Sequence, residues 1–153
     1  MKPIFVAIVA MALLPTMIAS AQEASTQQGD AGEPRAPKIS DIMAQQQMRH
    51  IKLWFAGHGG NWPLADYEID ALKDGFDDLN AMLGGDTVEK AVGGPIAAIE
   101  KAIEAKDRAG FAAAFDNLTA GCNGCHRALD HGFIAIRRPT SLPFTDQIFA
   151  PQK

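Results

Sequence analysis

DRAGFAAAFDNLTAGCNGCHRALDHG, residues 107–132, carries the pattern from which the architecture is read. Phe111, Phe115, Leu118, Cys122, Cys125 and Leu129 recur at intervals of three and four, the spacing of one helix face. Asp107 is placed to cap the start of this helix. Gly132, just past His131, is placed to close its end. No part of the stretch alternates with the two-residue period of a strand, so the reading is an amphipathic helix with its apolar side turned to a core.

Within it, Cys122-Asn123-Gly124-Cys125-His126 reads C-x-x-C-H, the attachment signature of c-type haem. The two thiols suit thioether bonds to the haem vinyl groups, and the adjacent histidine suits an axial iron position. Cys122, Cys125 and His126 stand at i, i+3 and i+4, so all three project from one sector of the helix. That sector is the apolar stripe itself, so motif and amphipathic phase agree. The chain has two cysteines, both in the motif. In an exported protein they could instead pair as a disulfide, but a bridge across so short a loop constrains little chain entropy. A thioredoxin-like pair belongs beside a βαβ pattern, and no strand pattern precedes this one.

Working outward, the preceding sequence is also helical. A first helix is expected over 41–57 with Ser40 as N-cap, placing Ile39, Met43, His50 and Trp54 on one face. His58-Gly59-Gly60-Asn61 breaks it. Pro63 fits the first turn of a second helix. That helix carries Leu64, Tyr67, Ala71, Leu72, Phe76, Leu79 and Leu83 as its stripe, and Asp66, Glu68, Asp70, Asp74, Asp77 and Asp78 as an acidic outer face. Gly93-Gly94-Pro95 is expected to open a short third helix with Ile96, Ile99 and Ile103 on one side. Four amphipathic helices with short connections predict an all-α protein, an antiparallel four-helix bundle over 39–132.

The N-terminus begins Met1-Lys2-Pro3, continues with an apolar run from Ile4 to Ile18, and ends in Ala19-Ser20-Ala21. That is the layout of a secretory signal peptide over 1–21, and the run, with Pro15 inside it, is too short for a comfortable membrane span. Residues 22–38, rich in Gln, Ser, Gly, Ala and Pro, read as a flexible tether. No transmembrane span is expected in the mature chain, and the localisation expected is the periplasm. The formal net charge of −4 gives no reason to expect a nucleic-acid partner. Beyond the bundle, residues 133–153 hold Phe133, Ile134, Ile136, Phe144 and Phe149. They are expected to pack back on the bundle as an extended tail, or to serve as a docking strip.

On the strength of Cys122, Cys125 and His126 in the last of four helices of an exported chain, the sequence resembles the cytochrome c-prime family and its methionine-ligated low-spin relatives. The likeness runs from about Ser40 to Gly132. It implies one covalently bound haem c anchored by Cys122 and Cys125, His126 as proximal iron ligand, and the first helix covering the distal side. Two features depart from the family pattern: the first helix is short, and a long apolar tail follows the motif.

The distal position is where function divides. Met43 is the first candidate, since the methionine-ligated relatives carry theirs near the start of helix one; core packing is its alternative role. His50, two turns later on the same face, is the second. Met48 and Met82 suit the core or rim, while His58 in a glycine loop and His131 at a helix end are weaker ligands. Arg49, Lys52, Arg137 and Arg138 suit haem propionates or plain solvation. The expectation is an electron carrier, not an enzyme, serving a periplasmic redox partner. The alternatives are a five-coordinate protein binding gases such as NO or CO, with Leu53 or Trp54 above the iron, and a haem subunit of a larger redox complex.

Overall fold

The computed structural model describes residues 37–153. The expected signal peptide and all but the last two residues of the expected tether lie outside them. Four helices follow in order: α1 (Ile39–Gly59), α2 (Trp62–Leu83), α3 (Thr87–Glu104) and α4 (Arg108–Ala128). Among the described residues there is no strand, and no helix is long and apolar enough to cross a membrane.

Local chemistry explains each start. Asn61 accepts the Leu64 amide on its side chain, and Pro63 occupies the first turn of α2. Asp107 accepts the Ala109 amide at 3.0 Å, as expected for the cap of α4. α1 begins earlier than expected, with Lys38 and not Ser40 at the cap, and the Lys38 amide donates to Asp41 at 3.3 Å. It runs for 21 residues, as long as α4, so the expectation of a short first helix is wrong.

α3 corrects the sequence reading most. It starts at Thr87, and Pro95 lies in its interior. Proline cannot donate to the carbonyl four residues back, here that of Ala91. A Cβ on Gly121 of α4 would collide with that same Ala91 oxygen. The glycine thus lets α4 pass closely over the carbonyl that Pro95 leaves unused. At the other end, α4 stops at Ala128 with Leu129 as cap, and Asp130 takes a positive φ of 61°, so Gly132 is not the cap.

The helices run antiparallel, each against its sequence neighbour, with α1 also meeting α4. The Gln46 amide donates to the Leu72 carbonyl at 2.8 Å, and His50 meets Thr119 at 2.8 Å. The core runs through Leu53, Trp54, Ile69, Leu72, Ile99, Phe111, Phe115 and Leu118. The buried side of α2 is Ala65, Glu68, Ile69, Leu72, Phe76 and Leu79. Tyr67, expected in the stripe, is 63% exposed, and Glu68, expected on the acidic outer face, is 2% exposed. Glu68 reaches Arg49 at 3.7 Å, and burial raises its pKa.

Residues 129–153 carry no helix or strand, yet they make specific contacts. Arg138 pairs with Asp116 of α4 and lies over Trp54 of α1, 4.4 Å from the ring centre. Lys52 lies over Phe144, and Phe149 is buried against Phe55 and Phe144. Asn61 donates to the Ala150 carbonyl at 3.3 Å. This segment therefore bridges α1 and α4, which touch each other less than the helices adjacent in sequence do.

Candidate functional site

At the end of the bundle where α1 and α3 begin and α2 and α4 finish, the helices line an open-sided cavity of about 800 Å³. Cys122, Cys125 and His126 line it from α4, and Met43, Gln46 and His50 line it from α1. Leu72, Phe76, Leu79, Val88, Val92 and Leu118 make its walls, and Ile134, Ala135 and Ile136 contribute from the segment after α4. The volume falls in the roughly 300–1,000 Å³ range of cofactor and ligand pockets, and the lining is mostly apolar with few polar groups, as such sites are.

The position follows from the sequence. The i, i+3, i+4 spacing sets both thiols and the imidazole on the inner sector of α4, one turn past Leu118 and Thr119. Both cysteines are free thiols. Burial pushes the Cys122 thiol up to about 12 and raises that of Cys125 as well. Reactive redox thiols are shifted the opposite way. Among the described residues no cluster of three or more His, Cys, Asp or Glu side chains forms a ready-made metal cage.

His126 has a defined tautomer. Its Nδ1 stands 2.8 Å from the Ile134 carbonyl, which can only accept, so Nδ1 carries a proton, and in the neutral ring the lone pair lies on Nε2. His50 is fixed by a similar argument. The Thr119 hydroxyl donates to the Phe115 carbonyl at 3.0 Å, so its oxygen accepts from His50 Nε2 at 2.8 Å. The ring also packs against Phe115, with centroids 4.4 Å apart. Burial lowers the His50 pKa to about 4, so the ring is neutral near pH 7. Its outer nitrogen is therefore already committed, whereas Met43 brings a half-buried thioether to the same cavity.

The remaining candidates sort plainly. Leu53 and Trp54 are core residues that do not line the cavity, so neither is placed above it. His58 stacks on Trp54 at 4.9 Å, away from the site. His131 does line the cavity, from an exposed position, with its Nδ1 donating to the Leu129 carbonyl. Met48 and Met82 are exposed. Arg49, Lys52, Arg137 and Arg138 do not line the cavity; three of them contact Glu68, Phe144 and Asp116 as described. Sequence reasoning missed Asn123, whose side chain holds the backbone of Ile136, and Thr119, the partner of His50. Thr119 sits one residue out of the apolar stripe, and nothing in the pattern marks it.

Comparison with known families, curated proteins and solved structures finds no match to this chain.

Proposed function

We propose that this chain is an exported, periplasmic c-type cytochrome that carries one haem and passes single electrons to or from a redox partner. Cys122 and Cys125 are its covalent anchors, His126 the proximal ligand and Met43 the distal one. The observation that carries the reading is that a single apolar cavity of about 800 Å³ receives both motif thiols, the motif imidazole and the Met43 side chain. Thiols held protonated by burial, at the end of a helix in an all-helical chain, also fit haem anchoring better than disulfide exchange.

Haem, when bound, supplies a one-electron iron couple. The protein's own groups fit that chemistry. The Ile134 carbonyl holds the His126 ring and leaves Nε2 as the donor. Phe76, Leu79 and Val92 form an apolar wall that disfavours added charge, which raises a ferric–ferrous potential. His50, neutral and bonded to Thr119, adds polarity without charge. The resemblance to the c-prime family and its methionine-ligated relatives points the same way.

The test is the optical spectrum of the mature protein, ferric and ferrous, with and without carbon monoxide. A low-spin spectrum with the far-red methionine–iron band, unmoved by carbon monoxide, is expected. A high-spin spectrum that shifts on adding the gas would replace electron transfer by gas binding.

A further inference from the structure

Asn123, one of the two variable positions of the motif, makes a reciprocal pair with the backbone after the helix. The Ile136 amide donates to its Oδ1 at 2.8 Å, and its Nδ2 donates to the Ile136 carbonyl at 2.8 Å. A side-chain amide thereby takes the place of a neighbouring backbone and grips the chain from both sides. Two residues earlier, the Ile134 carbonyl accepts from His126 Nδ1. The loop between is tied as well, since the His131 amide donates to the His126 carbonyl at 2.7 Å and the Ile134 amide to the His131 carbonyl at 2.8 Å. Ile134 has no helix or strand to fix its carbonyl; Asn123 anchors its run to α4 two residues on, and Arg138 anchors it again at Asp116, four residues from that carbonyl.

The geometry points to Asn123 as a positioning residue for His126: by clamping Ile136 it holds the Ile134 carbonyl against Nδ1 and so sets the orientation and donor strength of the imidazole. This rests on the reading of His126 as proximal ligand. A carbonyl accepting from Nδ1–H makes the ring a stronger donor and favours the more oxidised iron, so losing the clamp should raise the potential. Simple loosening of the fold admits water and moves the potential down, because solvent favours the more highly charged state. The sign therefore separates positioning from a general structural role.

The experiment compares the mature, haem-loaded wild-type protein with Asn123→Ala. Readouts are haem retained through denaturing electrophoresis, the midpoint potential, and exchange of the His126 Nδ1 proton followed by NMR. The expected variant keeps its covalent haem, exchanges that proton at least about tenfold faster, and shifts the ferrous-to-ferric ratio about tenfold toward ferrous, a rise of ~59 mV. An unchanged exchange rate, or a potential that stays or falls while haem is retained, overturns the inference. If Asn123→Ala does not accumulate, the neutral Asn123→Ser, too short to make both bonds, is read by the same criteria. A wild-type chain without covalent haem would sink the functional reading and this inference together. A loaded wild type with an indifferent variant would sink the inference alone.

Discussion

Replacing His50 with glutamine should flatten the acid limb of the stability curve. His50 is a buried neutral imidazole whose pKa is lowered from 6.5 to about 4 by desolvation. Between those values the unfolded chain binds a proton that the folded chain does not, so stability falls as the pH falls. The stabilising contribution is present in full above 6.5 and is lost toward about 4. At about 1.4 kcal/mol per pH unit, that gap is worth roughly 3 kcal/mol. Glu68 acts in the opposite sense: burial raises its pKa, so its contribution is present below 4.5 and is lost as the pH rises through its folded value. Both chains retain Glu68, so subtracting one curve from the other isolates His50. The assay is urea unfolding of wild type and His50→Gln from about pH 7.5 down to about pH 4, with the urea slope checked for constancy. Wild type should lose roughly 3 kcal/mol more than the variant over that range. Parallel curves would refute the burial argument, whatever the variant's stability near pH 7.

Other perturbations test other parts of the structure. Changing Cys122 and Cys125 together to alanine should abolish nearly all haem that survives denaturing electrophoresis; haem that stays attached would disprove anchoring at these thiols. Met43→Ala should turn a low-spin spectrum high-spin, and an unchanged spectrum would remove Met43 and promote His50. Gly57→Ala drives a methyl group into the fully buried Phe111 ring, which Trp54, Trp62 and Phe115 surround. It should cost about 1–3 kcal/mol in chemical denaturation, and a cost near zero would show that the ring can move aside.

Much of this molecule is written in local pattern. The three–four spacing from Phe111 to Leu129, the cap at Asp107 and the proline in the first turn of α2 are short-range signals, and the structure follows them. The placing of the motif on the inner sector of α4 was equally legible, because it needs only the helical period. Misreadings arose where a residue's role is set by its neighbour on another helix. Gly93-Gly94-Pro95 looks like a boundary in one dimension. In three, the helix runs on through Pro95, and the carbonyl it abandons lies against Gly121 of α4. Glu68 belongs by composition with the aspartates around it, and only the Lys52 and Arg49 charges of α1 offset the cost of its burial. Asn123 could not be chosen from sequence, since its partner lies 13 residues on in a segment without periodicity.

The bonds that tie α1 to α4 also impose an order in time. Arg138, which bridges the two helices, and Phe144 and Phe149, which pack on α1, follow every helix in the chain. A polypeptide delivered N-terminus first presents all four helices before it presents the clasp. During that interval Trp54 and Phe55 of α1 and Asp116 of α4 lack the partners that later cover them. The clasp is the last part of the fold to close, once the final residues arrive.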